Sequence, residues 1–269
     1  MGEVTWSGGT EHWTRKGEVR LFLWNKKAAP GVPPAGTLFF VHGSSMASQP
    51  TFDLQVPGRP FSSAMDWFAA QGFDTWTLDN EGYGRSDKQR DHNSDISCGA
   101  DDLEAGTRYV MEQTGAKQLL MYGISSGALK AALFAQRNPG VLARLALDAF
   151  VWTGEGSPTL EQRRKKLAEF QARNRRPIDR AFVQSIFDRD HPGTADAATI
   201  SAFADAILTL DSSMPTGTYV DMCSKLPLVE PERIDVPTLI LRGEWDGIAS
   251  MQDLLAFFAR LPNMQKQFS

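Results

Sequence analysis

Cysteine is scarce: the 269 residues include only Cys98 and Cys223, so no disulfide framework exists, and neither sits in a metal-ligand spacing. Histidine is almost as rare, with His12, His42, His92 and His191 the four imidazoles available to any chemistry that needs one. No apolar run is long enough to span a bilayer. The opening residues, Met1 to Gly9, lack the basic start and apolar stretch of a signal peptide. Neither sign of charge dominates, with 28 Lys and Arg against 32 Asp and Glu and a formal net charge of −4. Without a basic half or a basic stripe, nucleic acid is excluded as a natural partner. There is no internal repeat and no low-complexity segment. Together these absences describe a soluble, cytoplasmic protein with reduced thiols that engages neither nucleic acid nor membrane.

What is present is a core. Apolar residues make up 42% of the chain, enough for one large α/β domain with room for an insertion. Residues 12–24 alternate around a Lys16-Gly17 turn, with Val19, Leu21 and Leu23 on one parity, which predicts an antiparallel hairpin at a sheet edge. After a Pro/Gly-rich loop at 29–36, residues 37–41 form a continuous apolar run, the pattern of a strand buried on both faces of a parallel sheet. Helix then alternates with strand: helix at 62–71, strand at 73–78, helix at 101–113, strand at 119–124, helix from 131, strand at 142–147.

The stretch organising this alternation is Gly123-Ile124-Ser125-Ser126-Gly127, between an apolar strand and the helix that stops at Asn138-Pro139. A serine forced into a strained strand-to-helix turn needs neighbours without Cβ, which Gly123 and Gly127 supply. Ser125 would stand clear at a helix N-terminus, where backbone N–H groups favour a developing negative charge. It is the candidate nucleophile.

Between residues 151 and 229 the alternation breaks. Three amphipathic helices, at 161–173, 178–187 and 199–210, are expected with no strand between them, as in a helical insertion. The division read from the sequence is therefore a core from 1–150 and 230–269 and a cap from 151–229. Alternation resumes with a strand at 237–243, a helix at 251–261 and the start of a strand at 265–269.

Four landmarks carry a resemblance to the α/β-hydrolase superfamily: His42-Gly43 after a strand, residues 79–86 in the form D-x-x-G-x-G-x-S, the elbow around Ser125, and Gly243-Glu244-Trp245-Asp246 after a late strand. The resemblance covers nearly the whole chain. It implies a mainly parallel, doubly wound sheet with a helical cap, and an oxyanion hole made by the N–H groups of Ser126 and Ser44. It makes His42 a structural residue of the oxyanion loop and Asp79 a turn residue. Asp246 matches the triad acid, which fixes the imidazole tautomer, and Asp148 is the alternative at the end of the strand after the elbow helix. The family's base follows the last strand, so it is expected beyond Ser269 together with a closing strand and helix. His191 and His92 are the substitutes if no such residue exists.

The resemblance implies acyl transfer without metal or organic cofactor, and a serine at the elbow argues against epoxide hydrolase or haloalkane dehalogenase chemistry. The expected substrate is a small or medium, largely apolar carboxylic ester or lactone. The alternatives are the C–C bond of a ring-fission diketone, or ligand binding by a pseudo-hydrolase. Oligomeric state, including a homodimer, is open. Trp245, Trp152 and Met214 are the expected pocket residues, and the basic run of Arg163, Arg164, Lys165, Lys166, Arg173, Arg175 and Arg176 is read as a solvated helix face, with attraction of a carboxylate substrate as the alternative.

Overall fold

In the computed structural model, which describes residues 8–269, β1 (Thr10–Lys16) and β2 (Val19–Lys26) form the expected hairpin. The first seven residues, where a leader pattern was sought, lie outside the described residues. Among the described residues no helix is long and apolar enough to cross a membrane.

The core continues through β3 (Gly36–Val41), α1 (Ser48–Phe52), α2 (Ala64–Ala70), β4 (Phe73–Leu78), α3 (Ile96–Thr114), β5 (Leu119–Ile124), α4 (Ser126–Arg137) and β6 (Leu142–Asp148). The cap follows as α5 (Pro158–Arg164), α6 (Leu167–Gln171), β7 (Arg175–Pro177), α7 (Arg180–Asp188), α8 (Ala197–Leu210), β8 (Ser213–Pro215) and α9 (Gly217–Ser224). The chain then returns to the core with β9 (Thr238–Leu241), α10 (Met251–Arg260) and β10 (Lys266–Phe268).

The eight-stranded sheet has the order β1-β2-β4-β3-β5-β6-β9-β10. The six strands from β4 to β10 in that order pair in parallel, and β2 joins β4 antiparallel. The loops at the strand C-termini therefore gather at one edge, where open α/β sheets place their sites.

The two sheet faces are covered unequally. One packs Phe39, Val41, Met121, Leu145, Leu147 and Ile240 against α3, α4 and α10 in the largest core cluster. On the other, Phe22, Trp24, Leu38 and Phe40 meet Phe52 of α1 and Met65 of α2. β3 is thus buried on both sides from Thr37 onward, as its apolar run predicts. β5 instead alternates, with Leu120, Tyr122 and Ile124 only half-buried on the second face, and β9 repeats the pattern at Leu239 and Leu241.

Helix starts follow their caps. Ser63 accepts from Asp66 N–H to open α2, and Asp95 accepts from Cys98 N–H, so α3 begins five residues before the periodicity suggests. Within the cap, the single helix expected at 161–173 is instead α5 and α6, and the expected absence of strands is also corrected. Two strands do occur there, because β7 and β8 pair antiparallel over three residues each, too short for alternation to register.

This two-stranded strap is fastened to the loop after β4. Arg175 Nη1 donates to Gly82 O (2.9 Å), and Asp211 accepts from Gly84 N–H (2.9 Å) and pairs with Lys88 (2.6 Å). At the start of α9, Gly217 N–H donates to Asn93 O (2.7 Å).

Candidate active site

Ser125 holds φ 57° and ψ −126°, a conformation that costs a residue with a Cβ about 1–3 kcal/mol and persists only where neighbours enforce it. Its N–H donates to Asp148 O (2.8 Å), and its carbonyl accepts from Ala128 N–H (2.9 Å). The flanking glycines are required by close approach. A Cβ on Gly123 would lie 2.5 Å from Gly127 O, and one on Gly127 only 2.3 Å from Val41 O and 2.6 Å from His42 O. Gly127 therefore seats α4 against the end of β3, a role beyond closing strand on helix.

The loop leaving β3 faces the elbow directly, since a Cβ on Gly43 would stand 3.3 Å from Ser125 Cβ. Ser44 Oγ donates to Ser126 Oγ at 2.6 Å with both residues buried, so the two candidate oxyanion-hole residues are tied together. Ser126 is the first residue of α4, and its N–H has no carbonyl four residues back to bond.

His42 is fully buried. Its Nδ1–H donates to Gly43 O (2.8 Å), and its Nε2 accepts from Asn80 N–H (3.0 Å), which fixes a neutral tautomer. Burial, reinforced by Lys130, holds its pKa well below the ordinary imidazole value. His42 thus braces the loop.

The motif at 79–86 supports the same loop. Buried Asp79 accepts from Ser48 N–H and Oγ (2.8 and 2.6 Å) and from Arg85 N–H (2.9 Å), and Ser86 Oγ donates to Asp79 O. Tyr83 donates its hydroxyl to Ser44 O (3.1 Å) and lies edge-on to His42. Beneath them Lys130 Nζ donates to Asn80 Oδ1 (2.7 Å) and sits over the Tyr83 ring, and burial pushes its pKa down to about 8. The sequence reading missed Asn80, Tyr83 and Lys130. Lys130 had a signal, a lone charge in the apolar run 128–135.

Asp246 lies in the turn after β9, where its N–H donates to Gly243 O (3.1 Å) and its Oδ1 accepts from Ile248 N–H (2.9 Å). Its Oδ2 is buried and bonded to nothing among the described residues, and burial raises its pKa. Asp148, the alternative acid, already accepts the Tyr122 hydroxyl. β10 runs parallel to β9, so that Arg242 N–H donates to Ser269 O (2.9 Å) at the edge where the Asp246 turn begins.

His191 packs on Trp245, next in sequence to Asp246, with centroids 4.5 Å apart. His92 is elsewhere: its Nδ1 accepts from Ser94 N–H, and it lies within 4.8 Å of Glu81 and Cys98. That trio does not suit a cation, because Arg90 and Lys16 already occupy the Glu81 carboxylate and Lys16 also donates to Cys98 Sγ. Burial works against the Glu81 charge, yet the two cations hold its pKa at about 2, while burial pushes the Cys98 thiol up to about 12. His12 packs between Trp76 and Tyr109 under the hairpin.

Residues 33–269 match the family described as serine aminopeptidase, S33. The chain belongs to this family of α/β-hydrolases. It is an enzyme of the hydrolase class. No curated protein sequence matches it significantly. Among solved structures, the S33-family chain resembles a soluble variant of monoglyceride lipase from Saccharomyces cerevisiae in complex with a substrate analog, at 17% identity and TM-score 0.67, covering 100% of this chain and 87% of that one. E-2-(acetamidomethylene)succinate hydrolase is similar at 17% identity and TM-score 0.66, covering 97% and 90%. The thioesterase domain from the curacin biosynthetic pathway matches at 17% identity and TM-score 0.65, covering 98% and 93%.

Two expected pocket residues of this S33-family hydrolase are packing residues instead. Trp152 is buried against Phe257, with its indole N–H on Val229 O (3.0 Å), and Met214 is fully buried in a second cluster joining the cap to Tyr83. Only Trp245 is open, at 56% exposure. The basic run also divides. Arg164, Lys165, Lys166 and Arg173 are exposed, as a solvated face would be, but Arg163 and Arg176 turn inward onto the Tyr219 ring.

Proposed function

We propose that this hydrolase cleaves a carboxylic ester or lactone through an acyl-enzyme on Ser125. The observation that carries the reading is the strained Ser125 backbone, held at the head of α4 beside the coupled Ser44 and Ser126. Ser125 Oγ attacks the carbonyl, and its proton passes to a general base. The N–H groups of Ser44 and Ser126 take the charge that develops on the carbonyl oxygen, each worth roughly 3–4 kcal/mol. The leaving alcohol takes the proton, and water activated by the same base releases the acid.

Asp246 is the triad acid in this scheme, because its buried, unbonded Oδ2 has the environment of a carboxylate that accepts an imidazole N–H. The base is an imidazole brought to this unbonded Oδ2. His191 is the second reading, on its contact with Trp245. The names of the structural neighbours, a lipase, a thioesterase and a hydrolase, agree with acyl chemistry.

Intact-mass analysis of the full protein after fluorophosphonate treatment tests the scheme. One adduct is expected, absent from Ser125→Ala and retained in His191→Ala. No adduct on the native protein would sink the hydrolytic reading and favour ligand binding. An adduct lost in His191→Ala would make that residue the base.

A further inference from the structure

Four cap elements converge on one phenol. The Arg163 guanidinium of α5 lies 4.6 Å from the Tyr219 ring centroid, and that of Arg176 in β7 lies 4.5 Å from it. Tyr219 belongs to α9 and is itself buried, and Arg189, just after α7, contributes a third positive charge within electrostatic reach. Asp190 neutralises Arg189 through its guanidinium. Among the described residues no carboxylate pairs with Arg163 or Arg176.

Arg176 Nη2 donates to Ser45 Oγ (3.1 Å), which also contacts Tyr219 Oη (3.0 Å), and Arg176 Nε is buried with no partner. Both side chains are half-buried and stack on aromatic rings, Arg176 also on Phe182 (4.3 Å), but cations drawn from water without an acid leave room for an anion supplied from outside. Burial alone would raise the Tyr219 hydroxyl, but Arg163 and Arg176 outweigh it and hold the pKa below the usual phenol value. The local potential is therefore positive in a chain whose net charge is −4.

The position relates this charge to the reaction. Ser45 is one residue past Ser44, about 3.8 Å along the Cα trace. At the other end, Arg189 lies in electrostatic reach of Asp246. The cluster thus borders both the oxyanion loop and the acid turn.

We propose that Arg163 and Arg176, stacked on Tyr219 beside the oxyanion loop, form an anion subsite that selects esters carrying a second, ionised carboxylate. The inference rests on the ester-hydrolase reading and replaces its largely apolar substrate with a half-ester of a short dicarboxylic acid. The guanidinium forks bind the free carboxylate in charge-assisted hydrogen bonds, and because Arg176 already holds Ser45, next in chain to Ser44, the ester end lies toward the oxyanion loop.

The test compares kcat/KM for methyl hydrogen glutarate with that for its neutral isostere, methyl glutaramate, on the full protein. The native enzyme is expected to favour the half-ester by roughly 10–100-fold, the worth of a hydrogen bond to a charged group. Arg163→Gln and Arg176→Gln should each lower that ratio by about tenfold or more, Arg176→Lys should restore part of it, and exposed Lys165→Gln should keep it. No preference in the native enzyme, or an equal fall on both substrates in the variants, overturns the subsite. Calorimetry with glutarate and glutaramide separates this from failure of the hydrolase reading. If neither ester is turned over, tighter glutarate binding that both Gln variants abolish still supports the subsite, and its absence refutes it.

Discussion

Replacing Gly127 by alanine tests whether the elbow depends on the approach of α4 to the end of β3. The added Cβ would stand 2.3 Å from Val41 O, against an ordinary carbon–oxygen contact of about 3.3 Å, so roughly 1 Å must be found. Val41 is hydrogen-bonded into the sheet between β4 and β5, so the helix has to yield. That displacement carries Ser125 and Ser126 away from Ser44. A 1 Å error in a reacting constellation costs about 10²-fold in rate, and overpacking against backbone costs about 1–3 kcal/mol of stability. Steady-state hydrolysis of a 4-nitrophenyl ester and urea unfolding measure the two losses. Gly115→Ala is the matched control: with φ 71° and no atom within 4 Å of the added Cβ, it should lose about 1–2 kcal/mol through backbone strain and no activity. If Gly127→Ala keeps kcat/KM within threefold of the native value, the argument from elbow spacing fails.

Two further outcomes follow from buried charge. Lys130 has its pKa pushed down to about 8 from 10.5, so between those values the unfolded chain holds a proton that the folded chain has released, and stability rises with pH. Below about pH 8 the penalty is fully present in the native protein, and Lys130→Met lacks it; unfolding free energies from urea titration should shift in favour of the native protein by about 3 kcal/mol from pH 7.5 to 10.5, and a flat difference contradicts the assignment. Asp246→Asn should lower kcat by about 10³–10⁴-fold while Asp148→Asn, whose carboxylate serves Tyr122, costs far less; the reverse ranking in steady-state kinetics would move the acid to Asp148.

The core was legible because its signals are local. β3 is a run of apolar residues, and the elbow glycines follow from a strained turn, so Ser125, Ser126 and Ser44 meet where chain order implies. What sequence could not convey is which way long side chains turn. Arg163 and Arg164 are adjacent and chemically identical, yet one stacks on Tyr219 and the other bonds Cys223 O near the surface. Trp152, an apolar residue of the insertion, was expected in the pocket, but the carbonyl of Val229, 77 residues away, claims its indole. Asn80 and Lys130 were hidden for the same reason, since their bond joins segments fifty residues apart.

The strap of β7 and β8 gives the cap a mechanical character. It is bolted to the loop after β4 through Gly82, Gly84 and Lys88, and α9 is clamped to Asn93. Swinging it away as one body would break all these bonds at once, and Arg176 would leave Ser45 with them. The cap is a lintel built into the wall, not a door hung on it. On the reading proposed above, substrates enter beneath a fixed span, and the charge in its underside would sort them before Ser125 acts.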